Sequence, residues 1–148
     1  MNDMAFKTRN VVLIAALAGG SVACAQAGKP VTSHDGSCQV TVPADWSVTA
    51  NFGIANSADK SVSLAVSSPR SSPTLAEVKQ TAQSIYTDDK VVKDSASEFQ
   101  MEGKSGNGKP NVYRGIQIPG KVCLVEVMYT NDATDEARKI AESLKAAK

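Results

Sequence analysis

The apolar positions of this chain change period several times, and each change marks an element. In residues 38–42, Cys38, Val40 and Val42 fall on one face and Gln39 and Thr41 on the other, the period-two signature of a half-buried strand. Pro43 ends it, and Ala44 and Asp45 lead to Trp46. Val62, Leu64 and Val66 repeat the pattern against Ser61, Ser63 and Ser67, so residues 61–67 form a second strand; Ala58, Asp59 and Lys60 turn into it from a strand around residues 52–56. After a loop over residues 68–72, Pro73 supplies a first-turn proline and Thr74-x-x-Glu77 is a capping box, so a helix follows. Leu75, Val78, Ala82 and Ile85 give it one apolar face, and Thr87, Asp88 and Asp89 fit its end.

Strand-like segments follow at residues 91–96 and 98–102, with Phe99 and Met101 on one face of the second. The loop 103–110 carries Ser105-Gly106-Asn107-Gly108, residues that tolerate positive φ and can reverse the chain between antiparallel strands. Residues 111–118 and 121–129 pair as a hairpin about Pro119-Gly120. Both faces of the second arm are largely apolar, Val122, Leu124 and Met128 against Cys123, Val125, Val127 and Tyr129, as a central strand requires. From Asp132 the period becomes helical: Asn131 or Asp132 as cap, Asp135 and Glu136 in the first turn, Ala137, Ile140, Ala141 and Leu144 as the apolar stripe, and Lys145 and Lys148 near the end.

Two stretches precede the first strand. Residues 28–37 are rich in Gly, Pro, Ser and Thr without apolar periodicity and read as a flexible leader. Residues 1–27 read as a signal peptide: Lys7 and Arg9 stand before the uncharged run 11–23, which is too short to span the roughly 30 Å hydrocarbon core, and Ala25-Gln26-Ala27 offers a cleavage site. The alternative is lipid attachment at Cys24, against which Ser21 stands where such signals carry leucine. Residues 38–148 are then one α+β domain, of ordinary single-domain size. Localisation is expected to be periplasmic or secreted, with a lipid-anchored envelope protein as the alternative.

Removing Lys7 and Arg9 from the 16 basic residues and Asp3 from the 15 acidic ones leaves the two signs balanced. Nucleic-acid binders need a cationic surplus to displace counterions, so no nucleic-acid partner is expected. Of the cysteines, Cys38 and Cys123 remain as a pair in the exported part. In an oxidising compartment an even pair points to a disulfide. The redox or metal-binding alternative lacks C-x-x-C spacing and clustered histidines.

The phrase Cys38-Gln39-Val40-Thr41-Val42-Pro43-Ala44-Asp45-Trp46 resembles the first strand of PsbP-like domains, and the strand 59–66, the Thr74 helix and the carboxy-terminal helix are similar to that layout. The resemblance implies an α/β/α sandwich, an antiparallel sheet covered by helices on both faces. It also implies an accessory or binding role, since such domains include extrinsic subunits of photosystem II and bacterial envelope proteins. It transfers no site residue.

Candidate chemistry is sparse. His34, the only histidine, lies beside Asp35 in the expected leader with no nucleophile or ligand cluster near it in sequence. Gly106-Asn107-Gly108-Lys109 lacks the spacing of a phosphate-binding loop, and Asp132, Asp135 and Glu136 lack that of a calcium loop. Ser67, Ser68, Ser71 and Ser72 stand outside any G-x-S-x-G elbow. No catalytic residue, metal or cofactor is expected, and Trp46 is expected to plug the core. The reading is a small non-enzymatic binding or accessory protein whose partner is a protein of the cell envelope. A membrane contact is expected only with lipid on Cys24. Two alternatives stand: an inhibitor or immunity protein against a secreted enzyme, and an enzyme whose Glu98, Glu126 or Tyr113 converge only in the fold. The candidate surface is Tyr113 and Arg114 with Asn107 and Lys109, because exposed aromatic and Arg side chains anchor interfaces.

Overall fold

A computed structural model describes residues 27–148. The signal-peptide reading of residues 1–27 and the lipid alternative at Cys24 lie outside the described residues, Ala27 excepted. Strands β1 (Lys29–Thr32), β2 (Cys38–Val42), β3 (Ser47–Thr49), β4 (Ile54–Asn56) and β5 (Val62–Ser67) come first, then helix α1 (Leu75–Ile85). Strands β6 (Thr87–Asp94), β7 (Glu98–Lys104), β8 (Pro110–Ile118) and β9 (Lys121–Tyr129) follow, then a 3-10 turn (Asn131–Ala133), helix α2 (Thr134–Glu142) and the short strand β10 (Lys145–Ala146). One antiparallel sheet has the order β3-β4-β5-β9-β8-β7-β6, and β1-β2-β10 form a smaller one.

The two apolar faces of β9 decide the layering. Val122 and Leu124 meet Leu75, Val78 and Ala82 of α1 and Phe99 and Met101 of β7. On the other face, Cys123, Val125 and Val127 meet Val40 and Val42 of β2, Val62 and Leu64 of β5, and Ala137 and Ile140 of α2. Trp46 closes the end of this second layer, buried as expected. The α+β class and the antiparallel sheet hold. The cover by helices holds in part, because α1 lies on one face while α2 shares the other with the small sheet. The disulfide joins the two sheets: Cys38 of β2 is bonded to Cys123 of β9 with Cα atoms 5.6 Å apart. No helix among the described residues is long and apolar enough to cross a membrane.

Residues 28–37 are not a flexible leader. Strand β1 pairs with β2 from Lys29↔Val42 to Thr32↔Gln39, and Val31 is 1% exposed in the core. Burying a valine contributes roughly 1.5–3 kcal/mol, which offsets part of the entropy lost in ordering the strand, and the pairing with β2 supplies more. The turn that follows is built by its own side chains. Ser33 Oγ donates to Asp35 Oδ1 (2.7 Å) and accepts from the Cys38 amide (3.1 Å), and Asp35 Oδ1 accepts from the Ser37 amide (3.1 Å). The β4–β5 turn repeats the arrangement: Ser57 Oγ donates to Asp59 Oδ1 (2.7 Å) and accepts from the Val62 amide (3.0 Å), and Asp59 Oδ1 accepts from the Ser61 amide (2.9 Å). Both turns read Ser-x-Asp-x-Ser. Those bonds, the Ser61 amide first and then the Ser57 and Ser61 hydroxyls, hold the Asp59 carboxyl at about 2, below its ordinary 3.8. The β7–β8 turn is a variant with Asn107 as the hub, accepting from Ser105 Oγ and, at 3.1 Å, from the Lys109 amide.

The fourth residue of each turn has positive φ: Gly36 (74°), Lys60 (59°) and Gly108 (77°). Lys60 alone carries a Cβ there, a conformation costing an L-residue roughly 1–2 kcal/mol, against a glycine entropy penalty of roughly 0.5–1 kcal/mol. Lys60→Gly is therefore expected to stabilise the domain by about 0.5 kcal/mol, read as a higher urea midpoint with an unchanged slope.

Helix α1 starts where the capping box predicts: the Glu77 amide donates to Thr74 Oγ1 (3.2 Å) and the Thr74 amide to Glu77 Oε2 (2.7 Å). Its end differs. Tyr86 is already extended, and Thr87, Asp88 and Asp89 open β6 through a bulge with Asp88 at φ 52°. Strand β3 was not foreseen, and the strand expected over residues 52–56 begins only at Ile54. Helix α2 is preceded by the 3-10 turn, its N-cap Ala133 makes no side-chain cap, and it stops at Glu142. Lys145 does not extend it but pairs with Gln39 of β2, and Ser143 Oγ accepts from the Thr41 amide at 2.9 Å. The physical reason is the second edge of β2, whose backbone groups β10 and Ser143 satisfy. Arg138 anchors α2 to the sheet through two bonds to Glu102, at 2.6 and 2.8 Å.

Candidate functional site

At one end of the molecule the β1–β2 turn, the β3–β4 loop, the chain after β5 and the start of β9 enclose a groove of about 640 Å³. Lys121 Nζ holds Asp35 Oδ2 at 2.7 Å, tying the β1–β2 turn to the β8–β9 hairpin. The Lys121 ammonium, with the Ser33 and Ser37 hydroxyls, keeps the Asp35 carboxyl far below the usual carboxylate range. His34 Nδ1–H donates to the Asn51 carbonyl at 2.8 Å, since a carbonyl can only accept.

Phe52 stands on the rim, 65% exposed, the most exposed of the large apolar side chains described. Its position is built, not frayed. Asn51 and Gly53 on either side both have φ of 66°, the Phe52 amide donates to Thr49 O at 3.4 Å, and the Val66 amide donates to Gly53 O at 2.7 Å. The His34 ring lies 6.5 Å from the Phe52 ring, tilted by 35°. The loop after β5 also lines the groove, through Ser67, Ser68, Arg70 and Ser72, and Ser72 has φ of 49°. Among the described residues no side-chain partner is bonded to these four, in contrast to the fully engaged serines of the Ser-x-Asp-x-Ser turns. Two of the four described non-glycine residues with positive φ, Asn51 and Ser72, thus stand at the groove, while Lys60 and Asp88 stand in a turn and a bulge elsewhere.

The sequence-predicted surface is not brought together. Tyr113 and Arg114 are neighbours on β8 and so point to opposite faces of the sheet. Arg114 is 8% exposed, bonded to Gln100 Oε1 at 3.1 Å and paired with the Glu98 carboxylate, so it is a buried structural cation and not an exposed anchor. Tyr113 is half-buried, its ring 5.8 Å from Phe99 and 5.3 Å from Tyr86. Asn107 serves its turn, and Lys109 stands exposed beside it. The signal for the groove was present at Asn51-Phe52-Gly53, where an aromatic residue sits between two residues suited to positive φ.

Of the carboxylates considered for chemistry, Glu126 and Tyr113 do meet, while Glu98 lies on the opposite face with Arg114. Asn111 Nδ2 donates to Glu126 Oε1 at 3.4 Å and the Tyr86 hydroxyl bonds to the same carboxylate. Burial first and the Glu126 charge second raise both phenols, Tyr113 to about 12 and Tyr86 further. Two phenols that keep their protons around one carboxylate make a clamp between the end of α1 and β9. No group of three or more His, Cys, Asp or Glu side chains converges among the described residues.

No protein-family model matches the chain, and no curated protein matches it. Among solved structures it is similar to the solution structure of cyanobacterial PsbP (CyanoP) from Synechocystis sp. PCC 6803, at a TM-score of 0.51 and 13% sequence identity. The match covers 86% of this chain and 96% of that one. The fold is PsbP-like. At that identity the PsbP likeness establishes the arrangement of strands and helices alone, and the groove is read from its own residues.

Proposed function

We propose that this is an exported, non-enzymatic binding or accessory protein of the cell envelope that acts through the groove about Phe52. The observation that carries the reading is an exposed aromatic side chain on a backbone held by hydrogen bonds at Phe52 and Gly53, since aromatic anchors on rigid supports lose little entropy on binding and dominate interface energetics. The Cys38–Cys123 bond supports an oxidising compartment, and the export signal and cleavage after Ala27 belong to the same proposal. The PsbP-like fold supports an accessory role by analogy of architecture. Placing a photo-crosslinking residue at position 52, or at position 109 as control, and irradiating intact cells tests it. A defined protein adduct from position 52 that is absent from position 109 is expected; equal labelling from both, or none from 52, removes the groove from consideration. An adduct with a secreted hydrolase would favour the inhibitor reading.

A further inference from the structure

The charged groups that line the groove bear on its occupant, an inference that rests on the groove being the binding surface. Its one lining carboxylate, Asp35, is occupied by Lys121, Ser33 and Ser37. What remains for a ligand is the Arg70 guanidinium, without an ion pair among the described residues, the hydroxyls of Ser67, Ser68 and Ser72, and the second ring nitrogen of His34. The guanidinium can only donate and the hydroxyls can donate beside it, and the guanidinium is the uncompensated charge among them. The large exposed apolar side chain in the same lining is Phe52.

We propose that the groove binds an acidic segment of a protein partner, one carboxylate held by Arg70 and the loop hydroxyls while a neighbouring aromatic or aliphatic side chain packs on Phe52. Charge complementarity favours a carboxylate because it accepts two parallel bonds from guanidinium, and such charge-assisted pairs are the strong ones. A neutral segment would leave the Arg70 wall without a counter-charge, and a basic one would be repelled by it.

The test uses the oxidised domain, 15N-labelled, titrated with a blocked peptide of sequence Asp-Phe-Asp-Glu-Leu and with its Asn/Gln counterpart. Saturable amide shifts at His34, Phe52, Arg70 and Ser72 are expected for the acidic peptide. Affinity should fall at least tenfold for the neutral counterpart and for Arg70→Gln, should weaken with added salt, and should be unchanged by Lys109→Gln. Equal binding of both peptides in the groove overturns the acidic selection and leaves the groove itself standing. Shifts confined to other surfaces, or none, overturn both. If oligogalacturonate, an acidic polysaccharide fragment, shifts the groove amides and the peptide does not, the occupant is a glycan and the peptide inference falls.

Discussion

Removing the Cys38–Cys123 bond, by Cys38→Ala with Cys123→Ala or by reduction, is expected to lower the unfolding free energy by about 4–5 kcal/mol. The bond closes 85 residues, a span for which loop-closure entropy in the unfolded chain is large, and both sulfurs lie in fully buried residues. For a domain of this size the loss corresponds to a melting temperature roughly 15–20 °C lower. Urea unfolding of the wild type with and without reductant measures it. A loss below about 1 kcal/mol would show that the packing of Val31, Val40 and Val42 holds the small sheet in place unaided. The bond also decides how firmly the Asp35 turn is held, because Cys38 immediately follows that turn and Cys123 lies two residues from Lys121. Reduction should therefore loosen one wall of the groove before the large sheet opens, seen as earlier loss of amide protection at residues 33–38 than at β8 and β9.

The second large effect is expected at Gly53. A Cβ built there would lie 2.3 Å from the Val66 carbonyl oxygen and 3.3 Å from the Ser33 Cα, both of them backbone, in a conformation with φ of 66° that side chains resist. Gly53→Ala thus combines left-handed strain of roughly 1–2 kcal/mol with overpacking of roughly 1–3 kcal/mol, and about 3 kcal/mol of stability should be lost. Relief requires the β3–β4 loop to lift away from β5, breaking the Val66–Gly53 bond that fixes Phe52. The variant should accordingly lose groove function beyond its loss of stability, whereas Phe52→Ala, with an exposed side chain, should lose function and keep its urea midpoint. Equal effects of the two on stability would mean that Phe52 is not a free anchor.

How far these features were legible depends on whether a local rule or a distant contact fixed them. The Thr74 capping box, the two apolar faces of residues 121–129 and the alternation of residues 61–67 are local, and the corresponding elements stand where they were read. Residues 28–37 were misread because Gly, Pro, Ser and Thr suggest a loop when considered by composition. The same Ser-x-Asp-x-Ser that turns β4 into β5 is written there, and Val31 finds its partners only across β2. The end of α2 was misjudged for a similar reason: Leu144 continues the helical stripe and is buried, yet the edge of β2 draws Lys145 and Ala146 out of the helix. The candidate surface failed on strand parity, which places consecutive residues on opposite sides, and on the buried partners Gln100 and Glu98 that Arg114 meets on the neighbouring strand. The groove depends on four segments distant in sequence, and only its Asn51-Phe52-Gly53 tip left a local trace.

Strand β2 lies between β1, its neighbour in the chain, and β10, which follows it about a hundred residues later. Early folding can form the β1–β2 hairpin on microsecond scales, but the pairing of Lys145 with Gln39 must await synthesis of the hundred or so residues between them. Any chain emerging amino end first, from a ribosome or through a translocation pore, would therefore present an incomplete β2 edge until residues 145 and 146 have emerged. Pairing with β10 covers an edge that, left open, is an aggregation hazard.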